Sequence, residues 1–211
     1  NTGLRWLFFP KNQEEKYEAR KFVLLSMAYF LVIATYTLVK VLKDTLFIDI
    51  VGQEYIPWAK LFSMVILVPA VLFYSFLVDR LRRYQLLLVY SCIYGVSLLV
   101  SMFIVANPSI GISNTVTSPF RLFGWFFYFL IEGYSPFMLS VFWAYVNSVS
   151  DPKSAKNTYS LLVAMSKVGG IIGASLGMLA FTLPAYLSVS FSHVFNHQLI
   201  LGASAFFVFL I

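Results

Sequence analysis

The sequence predicts an all-α membrane protein, a bundle of six transmembrane helices. Three observations carry that expectation. Hydrophobic residues make up 60% of the 211-residue chain and charged residues only 11%, less than half of the roughly 25% usual in soluble domains. The chain holds 22 Phe, 13 Tyr and 4 Trp, more apolar surface than a soluble globule of this size can hide. The apolar residues also fall in long runs rather than in short periodic stretches. A water-soluble enzyme, a disordered tail and a disulfide scaffold are thereby excluded. The single cysteine, Cys92, lies inside an apolar run and has no intrachain partner.

Residues 1–21 are polar and of mixed charge, with Glu14, Glu15, Lys16, Glu18, Arg20 and Lys21. They read as a cytoplasmic amphipathic lead-in helix. No small-residue cleavage site follows the first apolar run, so this is not a secretory signal. Apolar runs then cover about 22–41, 58–78, 84–105, 122–146, 159–183 and 197–211. A span needs ~20 residues to cross ~30 Å of hydrocarbon. The first five qualify. The sixth is shorter and still apolar at Ile211, where a helix would leave carbonyls unpaired in mid-bilayer. The expectation is therefore a lead-in at 1–21 and a bundle at 22–211, its sixth span truncated, belonging to a longer protein.

Orientation follows from Lys and Arg. The lead-in holds Arg5, Lys11, Lys16, Arg20 and Lys21, the loop after the second span Arg80, Arg82 and Arg83, and the loop after the fourth Lys153 and Lys156. The intervening connections at 51–56, 106–120 and 184–196 hold none. This alternation puts the amino terminus in the cytoplasm. The net charge of +6 is spread among apolar runs, which fits a bilayer and not nucleic acid.

Five basic residues are left over: Lys40, Lys43, Lys60, Arg121 and Lys167. Asp44 and Glu132 also fall at or within spans. A central charge costs ~2.5–3.5 kcal/mol on insertion scales, so the three of the first span together cost roughly 9 kcal/mol, about what its apolar residues return. That span is expected to face a polar cavity. Helical spacing puts Lys40, Lys43 and Asp44 on one arc, with Tyr36 beside it. The stripe is either a snorkelling pair of lysines with Asp44 as partner or a cationic lining for an anionic substrate. At ~1.5 Å per residue, Glu132 and Lys167 both lie ~15 Å into their spans, so they are expected to come within salt-bridge reach in at least one conformation. Lys60 and Arg121 read as cavity cations or interfacial anchors.

The charged spans are the first, second, fourth and fifth. They are expected to surround a cavity, with the third and sixth facing lipid. The pattern resembles one half of a major facilitator superfamily transporter. Asp79-Arg80-Leu81-Arg82-Arg83 is similar to that superfamily's D-R-x-G-R-[RK] loop, with Arg82 where the pattern has glycine. Gly169, Gly173 and Gly177 form a small-residue face suited to close helix packing, and Pro69 and Pro136 are expected to kink their spans. His193 and His197 fall in an outer loop without acidic or cysteine partners nearby, so no metal site is expected. No phosphate loop, nucleophile motif or paired acids occur, so neither catalytic residues nor an enzyme is expected.

Longer motifs point to one family. Tyr36-Thr37-Leu38 through Lys43-Asp44-Thr45-Leu46, then Ile56-Pro57-Trp58-Ala59-Lys60, then Phe142-Trp143-Ala144-Tyr145-Val146-Asn147 with Ala155-Lys156 and Tyr159, follow in order, preceded by Phe8-Phe9-Pro10. In these stretches the chain resembles the ATP/ADP translocases of plastids and intracellular bacteria. The resemblance implies twelve helices in two halves, with this chain the amino-terminal half and a carboxy-terminal half missing. It implies counter-exchange of nucleotides, with ATP/ADP as transported substrate and no cofactor. It implies functional weight for Lys43 and Glu132 and brings Asn147 into the site. Two departures stand out. The family's A-E-L-W-G-S is Ile131-Glu132-Gly133-Tyr134-Ser135-Pro136 here, and its fifth-helix asparagine is Lys167.

The candidate substrate-binding set is Lys43, Lys40, Lys60, Arg121, Glu132, Asn147 and Lys167, facing a nucleotide or another phosphorylated anion. Tyr36, Trp125, Tyr128 and Trp143 would either stack a base or pack the helices. The alternatives are a transporter of another anion or of a proton-coupled solute, with Glu132 carrying the proton, and a non-transporting anchor or sensor domain of the same fold.

Overall fold

The first apolar run sits inside a helix much longer than itself. In the computed structural model, which describes residues 12–150, 152–186 and 193–211 (side chains 152–158 and 183–186 apart), α1 runs Gln13–Ile50. None of its 38 residues is Gly or Pro, so nothing in the sequence breaks it. Glu14 and Glu15 lie in its first turn, where the helix dipole favours acids. Residues 13–21 are helical and continue into the first span without interruption. At ~1.5 Å per residue α1 is ~57 Å long, well beyond the bilayer's hydrocarbon. It stops at Val51 and Gly52, whose φ of 122° suits glycine. Arg5, Lys11 and Phe8-Phe9-Pro10 lie outside the described residues, as do the side chains of Lys153 and Lys156.

A single 3-10 turn, Gln53–Tyr55, leads to α2, Ile56–Arg80, which has Pro57 in its first turn. Then come α3 (Arg83–Val105), α4 (Leu122–Val149), α5 (Pro152–Tyr186) and α6 (His193–Phe209). All regular structure among the described residues is helical. Five of these helices are long and apolar enough to cross a membrane, and α6 is a shorter apolar helix. α2 and α4 run through Pro69 and Pro136 as continuous helices.

α1 is the axis of the bundle. It packs most extensively on α5 and also on α4 and α6, while α3 packs on α6 and α4. The α1–α5 contact uses the glycine face expected from sequence. A Cβ at Gly169 would run into the Phe30 carbonyl, and one at Gly173 into the Ala34 carbonyl and the Thr37 hydroxyl. α1 and α4 are antiparallel. Lys21 Nζ donates to the Val149 carbonyl at one end, and Ser118 N–H donates to the Ile50 carbonyl at the other. α2 is barely packed: only Ala59 and Ser63 are buried, while Met64, Val65, Val68 and Leu72 lie exposed.

The α2–α3 connection is tight. The Arg82 backbone N–H donates to Gln85 Oε1 at 3.0 Å and Arg80 lies over the Phe76 ring, so the basic connection is short and ordered with its charges outward.

Candidate functional site

The centre of the site is one ion pair between α1 and α4. Lys43 is 8% exposed, and its Nζ donates to Glu132 Oε2 at 2.5 Å. The ammonium also sits 4.3 Å from the centre of the buried Tyr128 ring and 3.7 Å from Asp44 Oδ1. Lys43 therefore has an acid on its own helix, an acid across the interface and an aromatic face beneath it. Each of these favours a charged ammonium in a site that has lost most of its water.

The expected approach of Glu132 to Lys167 is not the one seen in this arrangement. Glu132 takes Lys43, while Lys167 lies exposed on α5, about a quarter-turn from the face packed on α1. The reason is the true extent of α1. A first span ending near residue 41 leaves Lys43 in the outer half, but with the helix ending at Ile50, Lys43 lies ~10 Å inside its end.

Glu132 is more open than its partner, with its side chain 36% exposed. One side of it borders a groove of about 210 Å³ between α2, α3 and α4, lined by Ser63, Leu67, Tyr90, Tyr94 and Phe137. This groove is apolar and offers no second cation. Around the pair, Tyr36 stacks on Tyr134, with ring centres 6.4 Å apart, and the Tyr134 hydroxyl donates to the Val32 carbonyl.

Of the remaining candidates, Lys40 lies exposed one turn from Lys43, its ammonium 5.6 Å from the Tyr36 ring centre. Lys60 is exposed near the start of α2. Asn147 is fifteen residues along α4 from Glu132, or ~22 Å. There its Oδ1 accepts from the Tyr159 hydroxyl at 2.6 Å, joining α4 to α5 away from the ion pair.

Arg121 is committed elsewhere. Its guanidinium donates to the carbonyls of Ile50, Asn114, Val116, Ile110 and Gly111. It gathers the 106–120 loop onto the last turn of α1, where carbonyls lack helical partners and a cation is favoured. The aromatic candidates mostly pack. Trp125 donates its indole N–H to the Pro119 carbonyl, Trp143 lies edge-on to Tyr29 and Tyr159, and Tyr128 is fully buried.

His193 and His197 belong to α6, not to a loop, and Asp49 of α1 is beside them. Their ligating atoms lie within 4.8 Å of one another. The spacing of the two histidines was a usable signal. The acid was not, because it stands 144 residues away in sequence.

Comparison with known proteins bears on the whole chain. A family model described as TLC ATP/ADP transporter matches residues 2–209. ADP,ATP carrier protein 3 of Rickettsia bellii (strain RML369-C) is 23% identical over 196 residues, covering 80% of this chain and 38% of that carrier. The chain thus spans well under half the length of this curated relative. No solved structure matches it.

Proposed function

The chain belongs to the TLC ATP/ADP transporter family, and from that premise we propose that its full-length protein exchanges adenine nucleotides across a membrane by alternating access. It is an integral, multi-pass membrane protein. In this reading it forms the amino-terminal half of a major facilitator-like transporter, and α1 and α4 supply the substrate-responsive pair. α2 and α5 keep long exposed apolar faces, which suits a second half packing beside them. The alternating loop charges favour a cytoplasmic amino terminus, and the antiparallel α1 and α4 accord with it.

The observation that carries the proposal is the buried Lys43–Glu132 pair in a chain of this family. A lysine is a good phosphate partner as a point charge. Substrate phosphate competes with Glu132 for Lys43, and the carboxylate, already one-third exposed, is released as the phosphate binds. That exchange of partners gives the substrate different affinities for two arrangements of α1 and α4, which a ligand needs in order to shift their balance. Lys40, Lys60 and Lys167, all exposed, add a positive field that draws in an anion.

A second reading rests on the same carboxylate. A proton-coupled carrier would protonate Glu132 to release Lys43. The two readings separate in proteoliposomes of the full-length protein. Saturable uptake of labelled ADP or ATP that ignores an imposed pH gradient supports nucleotide exchange. Uptake that follows the gradient, or uptake of other phosphorylated anions alone, supports the second reading.

A further inference from the structure

We infer that Asp49, His193 and His197 form a binding site for a divalent transition-metal cation of the zinc class, joining the end of α1 to the start of α6. The ligating atoms of the three residues lie within 4.8 Å of one another. Tetrahedral ligands at ~2.0–2.1 Å from zinc stand ~3.4 Å apart, so side-chain movements of about 1 Å close the site. His193 and His197 are separated by one helical turn, the H-x3-H spacing that puts two imidazoles on one face of a helix. They are the only two histidines in the chain.

The state of His197 is the stronger argument. The residue is fully buried. Its Nδ1 lies 2.8 Å from the His193 carbonyl. A carbonyl oxygen only accepts, so Nδ1 carries the proton and the lone pair of the neutral ring is on Nε2. Among the described residues that Nε2, which is buried, has no hydrogen-bond partner. An imidazole held by a carbonyl on one nitrogen, with the other free, is the arrangement found in metal-ligating histidines. A buried acceptor without a donor is otherwise uncommon.

Asp49 points the same way. It lies in the last turn of α1, which has no basic residue, although the helix dipole there favours cations. α6 is held firmly, since Gln198 donates to the Met102 carbonyl and Phe181 of α5 lies edge-on to His197 at 5.2 Å. Two imidazoles and a carboxylate leave one position for water, a common arrangement for zinc with three protein ligands.

The test uses full-length protein without a polyhistidine tag, purified in detergent and titrated with Zn²⁺ against a chromophoric chelator. The inference expects the unaltered protein to bind one more Zn²⁺ than His193→Ala, or to bind it at least about tenfold more tightly. Asp49→Asn should weaken the same site and Cys92→Ser should leave it unchanged. His193 is exposed, so its replacement probes the site with little risk to folding. X-ray absorption of the zinc-loaded protein should report two imidazoles, one of them lost in His193→Ala. Equal zinc stoichiometry and affinity in the unaltered protein and His193→Ala would overturn the inference, as would a zinc spectrum without imidazole.

Discussion

Replacing Glu132 by Gln keeps the shape of the side chain and removes its charge. At an effective dielectric near 20, a unit pair at the observed 2.5 Å attracts by roughly 6–7 kcal/mol before any other term. Most of that is not lost. The amide oxygen still accepts a hydrogen bond from Lys43, and Asp44 stays 3.7 Å away with a gross attraction of ~4 kcal/mol on the same scale. Glu132 is also 36% exposed, so water screens part of the pair. A net loss of about 2 kcal/mol remains, below the ~3–5 kcal/mol that breaking a fully buried pair costs. If phosphate competes with Glu132 for Lys43, that energy returns as substrate affinity, up to about 30-fold tighter binding. Exchange should slow, because the nucleotide-bound arrangement is over-stabilised and release becomes harder. The assays are calorimetric titration of ADP into the full-length protein and labelled-ATP exchange in proteoliposomes. A double-mutant cycle completes the test: Lys43→Gln with Glu132→Gln should bind no better than Lys43→Gln alone. Unchanged affinity and exchange in Glu132→Gln would refute the competition.

Three further outcomes follow from the same geometry. Lys43→Gln should weaken nucleotide binding at least about tenfold, the equivalent of ~1.4 kcal/mol, whereas Arg80→Gln, exposed at the last residue of α2, should leave the dissociation constant nearly unaltered. Arg121→Lys should cost about 2–4 kcal/mol of stability, because one ammonium cannot reach five carbonyls; faster amide exchange across 106–120 with unchanged nucleotide affinity is the expected signature. Gly173→Ala should destabilise the α1–α5 packing by about 1–3 kcal/mol, while Gly177→Ala, whose Cβ would meet Leu38 at an ordinary 3.6 Å, should be tolerated; a thermal-unfolding comparison of the two decides this.

Much of the helical layout was legible from sequence because hydropathy is a local property. The runs at 84–105 and 122–146 match α3 and α4 to within a few residues. Gly169 and Gly173 announced a close-packed face, and they meet α1 backbone. The polar lead-in was legible as a helix, but its unbroken continuation into the first span was not, because Glu14, Lys16, Glu18 and Lys21 interrupt apolarity without interrupting helix. The end of α1, at Ile50 and not near residue 41, was not legible either, and it is this end that carries Lys43 to Glu132. Arg121 could not be read as a loop clamp from its own neighbourhood, since its acceptors include the carbonyl of Ile50, 71 residues away. His193 and His197 were visible as a spaced pair, but their acid was not, because Asp49 joins them only when α1 and α6 come together. For Glu132, Arg121 and the two histidines, what the pattern lacked was the long-range pairing.

The central claim is that the full-length protein exchanges nucleotides through the site built on Lys43 and Glu132. Trans-stimulation measures this directly: uptake of labelled ATP into proteoliposomes preloaded with ADP, beside empty ones, for the unaltered protein and for Lys43→Gln. The account predicts rapid uptake only into loaded vesicles, falling at least about tenfold in Lys43→Gln. Equal uptake into empty and loaded vesicles, or uptake indifferent to Lys43→Gln, would contradict it.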